Sequence, residues 1–290
     1  MILVYGQRND PPIDCLVAAL QAAGARYQLL DMADLDSAML RVQVGPHGVT
    51  GDLLLDGECT ELDDIRAVYA RPLTLALDDT HEATSQHALA LHQRLVEWLD
   101  IASALVVSRP AAVQASASKP RQAQLIGQSG FAVPAMLVTS DEDEAQAFRR
   151  LHGRVVFKSI SGRRSSVAEM DDSWLSRMQR LAPVPSQFQA HVPGVDVRVH
   201  VVGRQVFAAE VGDAAGRTLT ATRLPPAVAA QCVAMSAAMD LPVAGIDLRL
   251  RPDGEYVCCD VNPLPAYSDF EAECGLPMAA TLAQLLLAAA

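Results

Sequence analysis

Between Ala244 and Pro265 the sequence reads AGIDLRLRPDGEYVCCDVNPLP, and three of its side chains could share a metal ion. Gly245–Leu248 reads as an apolar strand carrying one carboxylate, Asp247. Tyr256–Val261 reads as the return strand, which ends at Asn262-Pro263. Arg251-Pro252-Asp253-Gly254 between them has turn chemistry: Pro presets φ, Asp bonds its own backbone, and Gly accepts positive φ. A two-residue loop at Asp253-Gly254 sets Asp247 opposite Asp260, with Asn262 two residues on along the same face. A bulged three-residue loop would shift that pairing by about one residue and make the contact diagonal. Like charges facing each other repel, so the pair wants a cation, and an all-oxygen set suits Mg²⁺ or Mn²⁺. The competing reading is an exposed hairpin face with ordinary surface carboxylates.

The basic residues add a second signal. Of 23 lysines and arginines only Lys119 and Lys158 are lysine. Arginine is a bulky planar fork, whereas lysine is a compact point charge with three rotatable donors. Both positions therefore look like places where a small ammonium meets an oxyanion, unless the two survive by chance. Lys158 is followed by Ser159-Ile160-Ser161-Gly162-Arg163-Arg164-Ser165-Ser166, a small, hydroxylated, basic loop suited to cradling an anion.

These residues need elements to hold them. The chain has 290 residues, 50% hydrophobic, enough for two domains or one elaborated one. A net charge of -11 argues against a nucleic-acid partner or an anionic membrane surface. No apolar run approaches membrane-spanning length, and Met1–Tyr5 reads as a strand, lacking the basic start of a signal peptide. The six cysteines show no metal spacing and read as small buried hydrophobes in a reducing, cytoplasmic setting. Strand Met1–Tyr5, helix Pro12–Ala23 and strand Tyr27–Leu30 make a βαβ opening without the glycines of a dinucleotide site. Arg71 follows the strand Ala67–Ala70, at a carboxyl end where open sheets place ligands, although a plain edge arginine is the favoured reading. His81, His87 and His92 on the helix Thr80–Ala104 read as solvated. A helix Gln114–Gln128 carries Lys119, with Pro120 placing a helix start nearby. Asp141–Leu151 reads as an acid-started helix, Arg154–Lys158 as a strand, and the region around Asp172–Arg180 as a polar helix. Phe188–Val192, Val197–Val202 and Gln205–Val211 read as an antiparallel meander.

In this order and spacing the motifs are similar to those of the ATP-grasp superfamily, RimK-like carboxylate–amine ligase branch. They are Val156-Phe157-Lys158 with its Ser-Gly loop, Gln189-Ala190-His191-Val192-Pro193-Gly194-Val195-Asp196-Val197-Arg198, and Gly245-Ile246-Asp247 with Asp260-Val261-Asn262-Pro263. They cover residues 108–290. Lys119 in a Ser-Lys-Pro context and Lys158-Ser-Ile-Ser-Gly further resemble the subset that closes lactones or lactams on ribosomally made peptides.

The resemblance implies a mixed α/β and α+β architecture. Residues 1–110 would form a pre-ATP-grasp α/β domain, 111–187 an N-lobe and 188–290 a C-lobe with the metal site. It implies that Lys119 and Lys158 reach the phosphates of ATP, with Ser161, Gly162 and Ser165 folding over them. Gln189, Ala190, His191 and Val192 would form the hinge that recognises adenine, and Asp196 would hold the ribose. Asp247, Asp260 and Asn262 would ligate Mg²⁺ (or Mn²⁺), and Arg198 and Arg223 would face the transferred phosphoryl group. Two departures stand out: Asp260 takes a place where the family has Glu, and Ala190 one where it has an acidic residue.

The implied reaction makes an acyl phosphate from a carboxylate, which an amine or hydroxyl then attacks, releasing ADP and phosphate. The expected substrate is a small molecule, an amino acid or a peptide, with no nucleic acid and no membrane involved, and a homodimer is allowed. The alternatives are an ATP-grasp small-molecule kinase and a non-catalytic nucleotide- or peptide-binding module.

Overall fold

The apolar opening strand is where the first layer begins. In this computed structural model, which describes residues 1–46, 48–72, 82–158, 167–170, 185–212 and 218–290, β1 (Ile2–Gly6) is buried throughout. It is followed by α1 (Pro11–Ala22), β2 (Tyr27–Asp31), β3 (Met39–Gly45), β4 (Gly48–Leu55), β5 (Glu58–Glu61), β6 (Ala67–Arg71), α2 (Glu82–Ile101) and β7 (Leu105–Val107). A parallel sheet of order β2-β1-β6-β7 and a small antiparallel sheet β3-β4-β5 result. Strand alternation sends Leu3 and Tyr5 toward Leu95, Trp98 and Leu99 of α2. Ile2 and Val4 go the other way, into a core shared with α1 and with residues as distant as Val243, Phe270 and Leu282. The parallel sheet is thus joined to the end of the chain by a common apolar core.

Next come α3 (Pro110–Ala117), α4 (Lys119–Gln128), β8 (Met136–Thr139), α5 (Glu142–His152), β9 (Val155–Lys158), β10 (Val167–Glu169) and β11 (Ser186–Ala190). The expected helix over 114–128 is broken at Ser118, which is extended (φ -75, ψ 96), because Pro120 accepts only the first turn of a new helix. Asp141 caps α5 by accepting from the N–H groups of Asp143 and Glu144, and Gly153 ends it at φ 75. The four strands form a sheet of order β10-β9-β11-β8 over a small core around Val155 and Phe188.

The chain ends with β12 (Val195–Val202), β13 (Gln205–Gly212), β14 (Thr218–Thr222), α6 (Pro226–Ala238), β15 (Val243–Leu250), β16 (Tyr256–Asn262), α7 (Ser268–Cys274) and α8 (Met278–Leu287). The strands form one antiparallel sheet, β14-β13-β12-β15-β16. Ala112, Ile126 and Phe131 bury against this sheet, so α3 and α4 share its core. β11 belongs to the smaller sheet through Ala190, so it is not the first strand of the expected meander, and residues 191–194 connect the two sheets.

Three further expectations differ from the structure. Arg71 is buried: its Nε meets Asp10 at 2.6 Å and its Nη1 donates to Leu264 O at 2.8 Å and Pro265 O at 3.2 Å. It is therefore not the plain edge arginine favoured above, and the carboxyl end of the parallel sheet receives the chain's own 264–265 segment. His92 is not solvated, because its Nδ1 lies 2.5 Å from the Tyr5 hydroxyl, and partial burial lowers its pKa. Of the six cysteines expected to be buried only Cys232 and Cys258 are; Cys59 is exposed and Cys15, Cys259 and Cys274 are partly exposed. His81, Ser161, Gly162, Ser165 and the helix expected around Asp172–Arg180 lie outside the described residues.

Candidate nucleotide and metal site

The β15–β16 hairpin closes on the three residues Pro252-Asp253-Gly254: Arg251 N donates to Glu255 O at 2.9 Å and Gly254 adopts φ 88. Near this loop Leu250 pairs with Tyr256 and Leu248 with Cys258, the register of the bulged alternative. Between Asp247 and Leu248 the register shifts, leaving Cys259 as an extra residue. The shift restores the pairing that a two-residue loop would have produced: Asp247 opposite Asp260, and Gly245 opposite Asn262. It also lets both Cys258 and Val261 enter the core while Asp260 stays with Asp247.

The carboxylates belong to a row that crosses the sheet. Asp260, Asp247, Arg198, Ala209 and Ala221 are successive partners on β16, β15, β12, β13 and β14. Arg198 Nε lies 2.5 Å from Asp247 Oδ1, and Lys119 Nζ 2.5 Å from Asp260 Oδ1. Lys119 comes from the first turn of α4, and Gln122 one turn on locks that helix to β16. The buried Gln122 amide donates to Val261 O at 2.6 Å, and its carbonyl accepts from Val261 N at 3.2 Å. Gln122 was not singled out from the sequence. Its spacing from Lys119, on one helix face, was the available signal.

Asn262 Oδ1 accepts from Leu264 N at 3.0 Å, which bends the chain into the segment that Arg71 grips. A Cβ on Gly245 would stand 2.9 Å from the Pro265 ring, so the segment packs directly on the strand. A cavity of about 800 Å³ opens over Lys119, Arg198, Asp247, Asp260 and Asn262.

A second cavity, of about 230 Å³, lies between the two sheets and is lined by Gln189, Ala190, His191, Val192 and Asp196. Arg198 and Asp247 line both cavities, so the two meet at that ion pair. The expected hinge residues are therefore adjacent to the expected metal residues. The N–H groups of Ala190 and His191 are already committed to Ala135 O and Arg154 O, each at 2.9 Å. The His191 pKa is lowered by burial first, and then by Arg154 and Arg249. Asp196 is held by Arg249 Nε at 2.6 Å, and the same arginine donates to Gly194 O at 2.9 Å. Gly194 is at φ 139, where a Cβ would lie 2.1 Å from Leu250 O, so only glycine allows this approach.

Other expected residues are less closely gathered. Lys158 ends β9 with its backbone paired to Gln187 and Val167; its side chain is outside the described residues. Arg223 is exposed just past β14, which lies three strands, about 14 Å, from β15, and it lines neither cavity.

Among the described residues no group of three or more His, Cys, Asp or Glu is gathered. The candidate metal set is two carboxylates and an amide oxygen. It fits a hard divalent ion that keeps waters and takes further oxygens from a bound phosphate.

No protein of curated function matches the chain by sequence. The model of the RimK-like ATP-grasp domain matches residues 116–286. Among solved structures, the macrocyclase MdnC from Microcystis aeruginosa MRC, bound with precursor peptide MdnA, superposes with a TM-score of 0.85 at 18% identity. That match covers 99% of this chain and 100% of that one. ATP-grasp ligase PsnB, complexed with a precursor variant, Mg and ADP, gives a TM-score of 0.81 at 24% identity, covering 99% and 97%. A Chryseobacterium gregarium RiPP-associated ATP-grasp ligase, in complex with ADP and a leader and core peptide, gives 0.81 at 20% identity, covering 100% and 97%. These likenesses establish the ATP-grasp fold over the whole chain. With the family model matching more than half of its length, the chain belongs to the RimK-like ATP-grasp family.

Proposed function

We propose that this protein activates a carboxylate of a peptide substrate with ATP and joins it to a nucleophile within that peptide. As a RimK-like ATP-grasp enzyme it is an ATP-dependent, ADP-forming carboxylate–amine ligase. The peptide substrate is our inference, supported by whole-chain similarity to ligases solved with precursor peptides.

The observation that carries the reading is the row Lys119–Asp260–Asp247–Arg198. It sets two anions and two cations against one cavity, directly beside the hinge. Asp247, Asp260 and Asn262 would hold Mg²⁺, which when bound neutralises phosphate charge and orients the transferred group. Lys119 and Arg198, each now on a carboxylate, stand where they can turn to phosphate oxygens. Gln122 fixes the helix that delivers Lys119, and Arg249 fixes Asp196 at the ribose end. Gln189, with its amide 3.4 Å from Cys259 O, forms the wall between the two sheets against which a base can lie. None of these residues need act as a nucleophile, because positioning and charge neutralisation supply the catalysis.

The test is ATP turnover in the presence of candidate precursor peptides, those with paired acidic and nucleophilic residues. ADP should form in proportion to peptide modified, each linkage lowering the peptide mass by one water. Hydroxylamine should trap an activated acyl group. ADP formation without any carboxylate requirement would overturn the ligase reading in favour of a kinase.

A further inference from the structure

Three strands of the parallel sheet end against one short piece of the chain. β1 leads to Asp10 and Pro12, β6 ends on Arg71, and β7 is followed by Ser108. Ser108 Oγ donates to Pro263 O at 3.3 Å, Arg71 Nη1 donates to Leu264 O and Pro265 O, and Tyr267 Oη donates to Pro12 O at 2.6 Å. Open parallel sheets hold ligands beyond the carboxyl ends of their strands, at the point where strand order reverses. In the order β2-β1-β6-β7 that point lies between β1 and β6. Asp10 and Arg71 stand there as an ion pair, and what they hold is residues 264–265 of their own chain.

A second observation links this piece to the metal site. Leu264 uses both of its backbone groups: its carbonyl accepts from Arg71, and its N–H donates to Asn262 Oδ1 at 3.0 Å. An amide oxygen has two lone pairs, so one is left for a metal ion. An exposed amide without that N–H is free to turn its NH₂ group, which cannot ligate, toward the site. Gly245, the cross-strand partner of Asn262, touches the Pro265 ring closely enough that a Cβ would stand 2.9 Å from it. Asn262, Pro263 and Pro265 line the large cavity, whereas Asp10, Arg71 and Ser108 line neither cavity.

We propose that Asp10 and Arg71 are positioning residues for the metal site: through Leu264 they hold the Asn262 amide oxygen in its ligating orientation. The inference rests on the ligase reading and adds to it a contribution from the parallel sheet, which acts on metal-nucleotide binding without touching the nucleotide. Outer partners of this kind fix the orientation of a metal ligand and thereby its affinity. The crevice that would hold a ligand of the parallel sheet is thus used to aim a ligand of the larger sheet.

The test measures ADP affinity of the full-length protein by calorimetry in Mg²⁺ and in EDTA. The ratio of the two is the readout, because general loosening of the fold lowers both alike. Arg71→Met should lower the ratio about tenfold, the effect of losing an outer partner of a metal ligand. Arg71 also supports the fold, so the milder pair Asp10→Asn, Ser108→Ala loosens the same segment and should lower the ratio about threefold. The pair replaces Arg71→Met in every comparison if the latter does not fold. Asn262→Ala should lower the ratio by itself, and adding Arg71→Met to it should lower it no further, since both act through one oxygen. An unchanged ratio in the Arg71 or Asn262 variant, or losses that add in the combined one, overturns the positioning role. Wild-type protein that fails to bind Mg·ADP sinks the ligase reading itself, whereas binding with a ratio independent of Arg71 sinks only this inference.

Discussion

Asp247 and Asp260 stand directly opposite each other on adjacent strands, and each is held at 2.5 Å by a different cation, Arg198 and Lys119 respectively. Opposed like charges on a sheet are destabilising, and here each charge is balanced separately rather than shared. Both ion pairs are partly open to solvent, so they contribute little to stability and remain exchangeable. The row is better suited to taking up a metal polyphosphate than to holding the fold.

Lys119→Met should weaken Mg·ADP binding by about 10- to 100-fold, the effect of one charge-assisted contact. Lys119→Arg should restore only part of it, since a planar fork replaces a point charge at the start of α4. Calorimetric titration measures both, and unchanged affinity in the Met variant would remove Lys119 from the phosphate site.

Asp247→Asn and Asp260→Asn should act in opposite directions with and without metal. In Mg²⁺ each should lower ADP affinity by at least about tenfold, because a ligand charge is lost. In EDTA each should leave affinity unchanged or raise it, because a negative charge near the phosphates is gone. The ratio of the two affinities is the readout, and a ratio equal to wild type would exclude a metal role.

Arg71→Ala should destabilise the protein by about 2–4 kcal/mol, because it leaves the largely covered Asp10 without its counter-charge and two carbonyls without a donor. Arg71→Lys should recover little, since one ammonium cannot span Asp10, Leu264 and Pro265. Urea unfolding measures the loss, and a change below about 1 kcal/mol would contradict the clamp.

Gly194→Ala should strain the turn between the two sheets by about 1–3 kcal/mol, because a Cβ cannot fit beside Leu250 O. Displacement of the turn should also disturb the Arg249–Asp196 pair and lower nucleotide affinity. Normal affinity in the folded variant would show that Asp196 is placed independently of the turn.

His200 predicts a pH dependence whose sign is fixed by burial. Its folded pKa is lowered from 6.5 to about 3, so between these values the unfolded chain binds the extra proton. Stability should therefore fall as pH drops below about 6.5, with a slope of up to about 1.4 kcal/mol per pH unit from this group. His200→Asn should flatten that component, measured as the wild-type minus variant difference in unfolding free energy between pH 7 and 5. A difference that does not change over that range would contradict a buried neutral imidazole.

The sequence by itself determined which chemistry was present: two carboxylates and an amide on one hairpin, two lysines among many arginines, and a hinge-like Gln-Ala-His-Val. Residue type and local spacing carry that information, because turn chemistry and strand alternation are short-range. Tertiary structure decided how they meet. The Asp247–Asp260 pairing arises from two offsetting irregularities, a three-residue loop and a bulge at Cys259, neither legible in alternation alone. Lys119 reaches Asp260 because α4 packs on the larger sheet, a contact 141 residues apart in the chain. Arg71 became a clamp and His200 a buried cavity wall for the same reason. What a charged or polar side chain does depends on which distant backbone and apolar surfaces surround it, and only the closed core chooses those.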